Sequence, residues 1–261
     1  MSKRVNGLQI FVTQDYNQLS LRAAEIVAAQ VRAKPASVLG LATGATPLGM
    51  YQHLHSLHKD TSFAQVTTFN LDEFVGLSGD LPGSYRQYMQ QHFIRHVDID
   101  PSNVHLPNGM ANDLSLECEL YERSISQAGG IDLQVLGIGR NGHIGFNEPY
   151  GKFKAGTYVV KLDGASIDAN VRFFASRAEV PLYAITMGIR TIMLAQRILL
   201  LASGPDKAHI IAQALQGPIT PSVPASVLQL HRNVVVIVDR AASQKLTNSE
   251  GVQQCFTAYG S

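Results

Sequence analysis

The 261-residue sequence predicts an α/β fold built on an open sheet, and three observations carry that prediction. Apolar runs of strand length alternate with segments of helical apolar spacing from one end of the chain to the other. Two of the strand-to-helix joins are short turns of small residues and proline, Ala42-Thr-Gly-Ala-Thr-Pro47 and Ser203-Gly-Pro-Asp-Lys207. With 45% hydrophobic residues, the chain is long enough for one large α/β domain or two small ones with a sizeable core.

The first strand is expected at residues 8–12. Residues 17–31 follow as a helix, because Leu19, Leu21, Ala24, Ile26, Val27 and Val31 recur at the spacing of one face. Residues 37–41 form the second strand and run into Ala42–Pro47, where Pro47 at a first helical position, followed by Leu48, Met50, Tyr51 and Leu54, predicts the next helix. Two readings of this turn stand side by side. Backbone N–H groups across Thr43, Gly44, Ala45 and Thr46, the helix dipole and two hydroxyls can cradle a phosphate; alternatively, Thr46 is a plain N-cap. No Gly-Lys-Ser/Thr follows, so this is not a Walker motif.

The third strand, residues 65–69, ends in Asn70-Leu-Asp-Glu-Phe-Val-Gly76. Asp72 and Glu73 are either turn formers or an active-site base, and in strand geometry they point opposite ways, so one of them faces a site. A turn at residues 78–83 leads into a helix from Ser84 carrying Tyr85, Tyr88, Met89, Phe93 and Ile94, a stripe read as packing. A further helix over 114–127 takes Asn112 or Asp113 as its cap and Gly129-Gly130 as its stop.

Residues 131–136 read as a buried strand, and Gly137-Ile-Gly-Arg-Asn-Gly-His-Ile-Gly-Phe-Asn-Glu-Pro149 follows directly. Four glycines let the backbone approach a ligand, and the strand delivers His143 and Glu148 to its carboxyl end, where open α/β sheets bind ligands. This is read as the catalytic loop, because an imidazole held by a carboxylate is poised for acid/base work near neutral pH. Gly137-x-Gly139-x-x-Gly142 also matches a dinucleotide fingerprint, with Asp163 about twenty residues on, but the sequence after Gly142 has little helix propensity and the fingerprint needs a helix there. Beyond it come a strand at 157–162, a helical turn at 166–170, a helix at 182–195, a strand at 197–202, a helix at 208–215 and a last strand at 234–238 with a helix-like tail. Arg172, between Val171 and Phe173-Phe174, is a solvated charge or an anion clamp, with the solvated reading ahead. Lys207 opposes the dipole of the helix it precedes unless an anion sits there, which points to an anion.

A formal charge of +1 gives no basic field of the kind nucleic-acid binders use. No membrane segment and no signal peptide is read. Cys118 and Cys255 form no disulfide framework, and a cytoplasmic setting is expected. His53, His55 and His58 lack a companion metal motif and are read as surface residues, so no metal is expected. No linker or repeat divides the chain, and residues 1–261 are expected to form one domain.

Five blocks carry a resemblance: residues 41–47, Thr68-Phe-Asn-Leu-Asp-Glu-Phe-Val-Gly76, the 137–149 loop, Asn170-Val-Arg-Phe-Phe174 and Ser222-Val-Pro-Ala-Ser-Val-Leu-Gln-Leu-His231. In this order, over nearly the whole chain, they resemble the glucosamine-6-phosphate deaminase family. The resemblance implies a doubly wound, mostly parallel, Rossmann-like sheet with helices on both faces. It also implies conversion of glucosamine 6-phosphate and water to fructose 6-phosphate and ammonia, without metal or organic cofactor. His143 then resembles the acid/base that opens the pyranose ring, Glu148 the group that orients it, and Asp72 the base that moves the C2 proton to C1. The phosphate would lie on Thr43–Thr46 under Arg172 and Lys207. Asn141 stands where some members carry Asp, removing one negative charge near His143. Some members are hexamers activated by N-acetylglucosamine 6-phosphate, held partly by basic residues at the positions of Tyr158 and Val160; with neither basic here, the resemblance implies a monomer or small oligomer with hyperbolic kinetics. Related sugar-phosphate lactonases share the Gly-x-Gly-x-x-Gly-His core without the Asp-Glu-Phe and Phe-Asn-Glu-Pro blocks. A non-catalytic sensor would keep the phosphate turn and lose the acid/base set.

Overall fold

The computed structural model describes residues 8–149, 151–247 and 252–253. Its frame is a parallel sheet in the order β11-β1-β10-β9-β6-β2-β3-β5, formed by β1 (Leu8–Thr13), β2 (Val38–Leu41), β3 (Thr67–Asn70), β5 (Val104–His105), β6 (Leu133–Leu136), β9 (Arg197–Ala202), β10 (Val234–Asp239) and β11 (Val252–Gln253). The central strands are buried almost throughout and mostly apolar, as parallel strands covered on both faces are. Alternate residues serve the two sides. Leu199, Leu201, Val235 and Ile237 pack with residues of α1 (Tyr16–Ala33), α2 (Ala45–Leu57) and α3 (Tyr85–His92). Ile198, Leu200, Val234 and Val236 pack instead with α4 (Leu114–Gln127), α6 (Ile189–Met193) and α7 (Ala208–Gln216). The sheet is therefore doubly wound, as expected.

Chain order sets the position of the site. From β2 the chain runs outward through β3 to β5, then returns to lay β6 on the other side of β2 and continues outward through β9 and β10. The winding reverses between β2 and β6. Connections leave such a pair in opposite directions and open a crevice beyond the carboxyl ends of the strands. The turn after β2 is Ala42–Gly44 and the loop after β6 begins at Gly137, so both segments singled out by sequence flank that crevice.

A second, antiparallel sheet in the order β4-β8-β7 joins β4 (Asp72–Phe74), β7 (Tyr158–Lys161) and β8 (Tyr183–Thr186); α5 (Gly164–Asn170) and α8 (Arg240–Ser243) complete the elements. This sheet corrects the expectation of one helix over 182–195. Tyr183, Ile185 and Thr186 favour a strand, which pairs on both sides, and the short helix α6 starts only after Gly188. A Cβ at Gly188 would lie 2.2 Å from the Gly156 carbonyl oxygen, so the chain crosses there too closely for any side chain. The apolar residues of the strand and the helix together had mimicked one helical stripe. A second correction concerns α2, which begins at Ala45, two residues before Pro47; Pro47 is still tolerated in the first turn, where its missing N–H would have had no intrahelical acceptor. The 114–127 helix stands as predicted, capped by Asp113 through the N–H groups of Ser115 and Leu116 at 3.0 Å each, with Gly129 and Gly130 at φ 89° and 82° beyond it. Among the described residues no helix is long and apolar enough to cross a membrane.

Candidate active site

The loop after β6 is shaped by its glycines. A Cβ on Gly139 would fall 2.3 Å from Cε1 of His143, so the bare backbone at Gly139 is the seat of the imidazole ring. Gly142 takes φ 88° and lies against Val223 and Ile210, where a Cβ would meet Val223 at 2.9 Å. No helix follows Gly142, and Asp163 caps α5 through the N–H of Ser166 at 2.6 Å, so the dinucleotide fingerprint lacks its context and its ribose residue is otherwise engaged.

His143 Nδ1 lies 3.3 Å from Glu148 Oε1, in an orientation short of a well-formed hydrogen bond. Glu148 is buried and fully engaged: Ser166 donates its hydroxyl to Oε1, and Asn141 donates its amide to Oε2 at 2.6 Å. Asn141 also accepts the His143 backbone N–H at 3.2 Å. Burial by itself would push the Glu148 carboxyl up, but the nearby His143 imidazole, together with the hydrogen bonds from Ser166 and Asn141, outweighs it and holds the group below the ordinary carboxylate range. Glu148 is thus an ionised acceptor at neutral pH, and the imidazole beside it is partly exposed.

Asp72 and Glu73 separate as strand geometry requires. Glu73 accepts the N–H groups of Phe74 at 2.8 Å, Tyr85 at 3.0 Å and Arg86 at 2.9 Å, and so anchors the first turn of α3; its carboxyl is nevertheless pushed up by burial. Asp72 is the one that meets the loop. Its Oδ2 is 3.5 Å from the point where a Cβ would stand on Gly145, which has φ 57°. Burial, with the nearby Glu73 charge added, raises the Asp72 carboxyl to about 8. The loop is docked onto the same small sheet, since Phe146 N–H donates to Thr186 Oγ1 at 3.0 Å and Asn147 donates to the Met187 carbonyl at 2.8 Å, while Thr186 pairs with Asp72 across β4 and β8. Asp72, His143 and Glu148 are therefore tied to one small sheet, from two distant parts of the sequence.

In the turn after β2, Gly44 occupies the N-cap of α2 at φ 108° and no side chain caps the helix. The plain N-cap by Thr46 is thereby excluded, because Thr46 lies inside the first turn. Lys207 precedes α7 and donates from Nζ to the Ile138 carbonyl at 2.9 Å, tying the start of the 137–149 loop to the turn after β9. Arg172 lies in a 3-10 turn after α5, and its side chain is outside the described residues. His53, His55 and His58 are half-buried rather than free on the surface, with His55 stacked on His96 at 4.0 Å. Sequence reading missed Ser166 and Thr186. Neither carries a local signal, because each reaches the loop from another element.

The chain matches the family described as glucosamine-6-phosphate isomerases/6-phosphogluconolactonase over residues 14–237. It is 50% identical over 241 residues to a glucosamine-6-phosphate deaminase of Clostridium botulinum (strain Langeland / NCTC 10281 / Type F), covering 92% of this chain and 99% of that relative. It is 51% identical over 245 residues to one of Thermoanaerobacter sp. (strain X514), covering 93% and 97%. Among solved structures, a monomeric glucosamine-6-phosphate deaminase superposes with a TM-score of 0.89 at 48% identity, over 91% of this chain and 99% of that one. The 6-phosphogluconolactonase of Trypanosoma cruzi superposes at 0.75 with 20% identity, over 95% and 98%, and shares the fold. Matched over most of its length in sequence and in structure, the chain belongs to the glucosamine-6-phosphate isomerase/6-phosphogluconolactonase family.

Proposed function

We propose that this chain converts glucosamine 6-phosphate and water into fructose 6-phosphate and ammonia, as a single-domain cytoplasmic enzyme of amino-sugar breakdown. The observation that carries the reading is the buried Asp72 carboxyl held against the glycine loop that also bears His143 and Glu148. A lactonase has no carbon-bound proton to move and no use for such a group. His143 moves a proton between the anomeric hydroxyl and the ring oxygen, opening the sugar to its aldehyde, and ionised Glu148 supports the imidazolium formed on the way. Asp72 then takes the C2 proton, leaving an enolamine, and returns it to C1. The resulting ketimine adds water and releases ammonia. Near neutral pH, the raised Asp72 holds its proton in the free protein; the cationic amine of the substrate, arriving beside it, favours the carboxylate and arms the base. Asn141 serves by holding Glu148 and the His143 backbone, roles that an amide fills without adding charge. The test is turnover in D2O. Deuterium at C1 of the fructose 6-phosphate formed supports a proton passed through a side chain, whereas complete transfer of the C2 hydrogen to C1 with no solvent deuterium, as in a direct hydride shift, contradicts it.

The phosphate is assigned to Thr43, Gly44, Ala45 and Thr46, with Arg172 and Lys207. The first-turn N–H groups of α2 and the positive end of its dipole favour an anion there. Lys207→Met is expected to raise KM by roughly 10- to 100-fold, the worth of a charge-assisted hydrogen bond, with a smaller change in kcat. A fall in kcat with KM unchanged would reduce Lys207 to a tether of the loop at Ile138.

We also infer hyperbolic kinetics and a monomer or small oligomer. Val160 is buried where it pairs with Ala184, while the neighbouring Lys161 is exposed on the other face, and the Lys154 ammonium lies over the Tyr158 ring at 5.8 Å. None of these arrangements gives an effector phosphate a basic pair at positions 158 and 160. An effector with no difference in affinity between two states shifts nothing, so N-acetylglucosamine 6-phosphate is expected to leave the rate curve unchanged. A sigmoidal curve that this compound makes hyperbolic contradicts the inference.

A further inference from the structure

Three tyrosines from three different helices converge on the carbonyl oxygens of the turn after β2 and of the first turn of α2. Tyr51, fully buried in α2, donates to the Ala42 carbonyl at 2.7 Å. Tyr88, from α3, donates to the Gly44 carbonyl at 2.7 Å. Tyr16, at the start of α1, shares its proton between the carbonyls of Ala45 at 2.8 Å and Thr46 at 3.1 Å, and its oxygen accepts the N–H of Gly49 at 2.8 Å. This last hydroxyl is inserted into the first turn of α2, and Gly49 permits it: a Cβ there would lie 3.0 Å from the Tyr16 oxygen and 2.3 Å from Ser20 Oγ.

Peptide groups are planar and trans, so a carbonyl fixed in direction fixes the N–H of the following residue in the opposite direction. Holding the carbonyls of Ala42, Gly44 and Ala45 therefore aims the N–H groups of Thr43, Ala45 and Thr46 away from the tyrosines. Two of these, at Ala45 and Thr46, are first-turn donors without an intrahelical acceptor. In addition, the Leu41 carbonyl is held by Leu71 N–H at 3.0 Å, which continues the same constraint one residue upstream.

We propose that Tyr16, Tyr51 and Tyr88 are positioning residues that pre-organise the anion-binding amides of this turn, so that the phosphate meets donors already oriented. The proposal rests on the reading that the turn takes the sugar phosphate. None of the three hydroxyls touches the ligand in this scheme; each acts through a carbonyl. Tyr88 also packs its ring edge-on to Phe173, at 6.4 Å between centroids, beside Arg172 in sequence, so removal of its hydroxyl alone leaves that contact in place.

The experiment compares the parent protein with Tyr88→Phe and Tyr16→Phe. It follows the backbone amide resonances of Thr43, Ala45 and Thr46 during titration with inorganic phosphate, and measures KM and kcat for glucosamine 6-phosphate in parallel. In the parent, phosphate shifts these amides. In each variant the phosphate dissociation constant and KM rise together by roughly two- to tenfold, the range for a neutral hydrogen bond, with the loss falling in KM rather than kcat. Amides that shift in the parent, with unchanged phosphate affinity in both variants, overturn the role of the tyrosines and leave the phosphate site standing. Amides that fail to shift in the parent overturn the phosphate reading and the proposal with it. Should Tyr16→Phe lose its fold, Tyr88→Phe decides alone.

Discussion

An Asp72→Asn variant is expected to lose about 10²–10⁴ in kcat, with substrate affinity nearly intact, while becoming more stable than its parent at neutral pH. The loss follows from chemistry, because an amide cannot accept the C2 proton, and deuterium exchange at C2 is expected to disappear with it. The gain follows from burial. The Asp72 carboxyl goes from an ordinary 3.8 to about 8, so between these values the folded state binds a proton that the unfolded state has released. Folding stability then falls as pH rises from about 4 to about 8, and the shift corresponds to on the order of 4 kcal/mol at pH 7. The amide carries no such cost. Urea unfolding is expected to show parity of the two proteins below pH 4 and a widening advantage for the variant up to pH 8. Equal stability at pH 8, or undiminished C2 exchange, contradicts the assignment of Asp72 as a buried base. In the parent, kcat/KM is expected to rise with pH and level off above about 8, because the free protein must first release this proton. The corresponding limb in kcat lies lower, since the bound amine has already favoured the carboxylate.

His143→Gln is expected to slow turnover of the closed pyranose by about 10²–10⁴, the usual worth of a positioned acid/base. Gln keeps a polar group over Gly139 but cannot accept and release a proton near neutral pH. Ring opening is the step that suffers, so an open-chain analogue, which bypasses it, is expected to bind as well to the variant as to the parent. Equal losses of affinity for closed and open compounds would make His143 a structural residue. The Glu148 carboxyl adds an independent sign. Because it is held below its ordinary range, it contributes stability that is fully present above that range and is lost on acidification, opposite to the slope from Asp72.

The parallel sheet was legible because buried parallel strands are apolar runs and α-helices show their faces; residues 114–127 and 197–202 were read with the bounds they have. Of the small antiparallel sheet, only β7 was, inside the strand read at 157–162. Its strands are three or four residues long, and Tyr183–Thr186 lies so near Ile189–Met193 that their apolar residues fall into a helical period. The candidate site was legible where glycine density and strand ends mark it, at Thr43–Thr46, Asp72 and the 137–149 loop. Ser166 against Glu148, Thr186 against the loop and the three tyrosine hydroxyls on the turn left no trace in local sequence. They are long-range contacts made by residue types that occur everywhere. Even the choice between Asp72 and Glu73 needed the structure, since period two says that they diverge without saying which one α3 will claim.

The central claim, that Asp72 makes this site an aldose–ketose deaminase rather than a lactone hydrolase, is tested most directly by offering the purified protein glucosamine 6-phosphate and 6-phosphogluconolactone in parallel. Ammonia and fructose 6-phosphate formed in equal amounts from the first, with no acceleration of hydrolysis of the second, is the expected result. Hydrolysis of the lactone without release of ammonia from the amino sugar would contradict it.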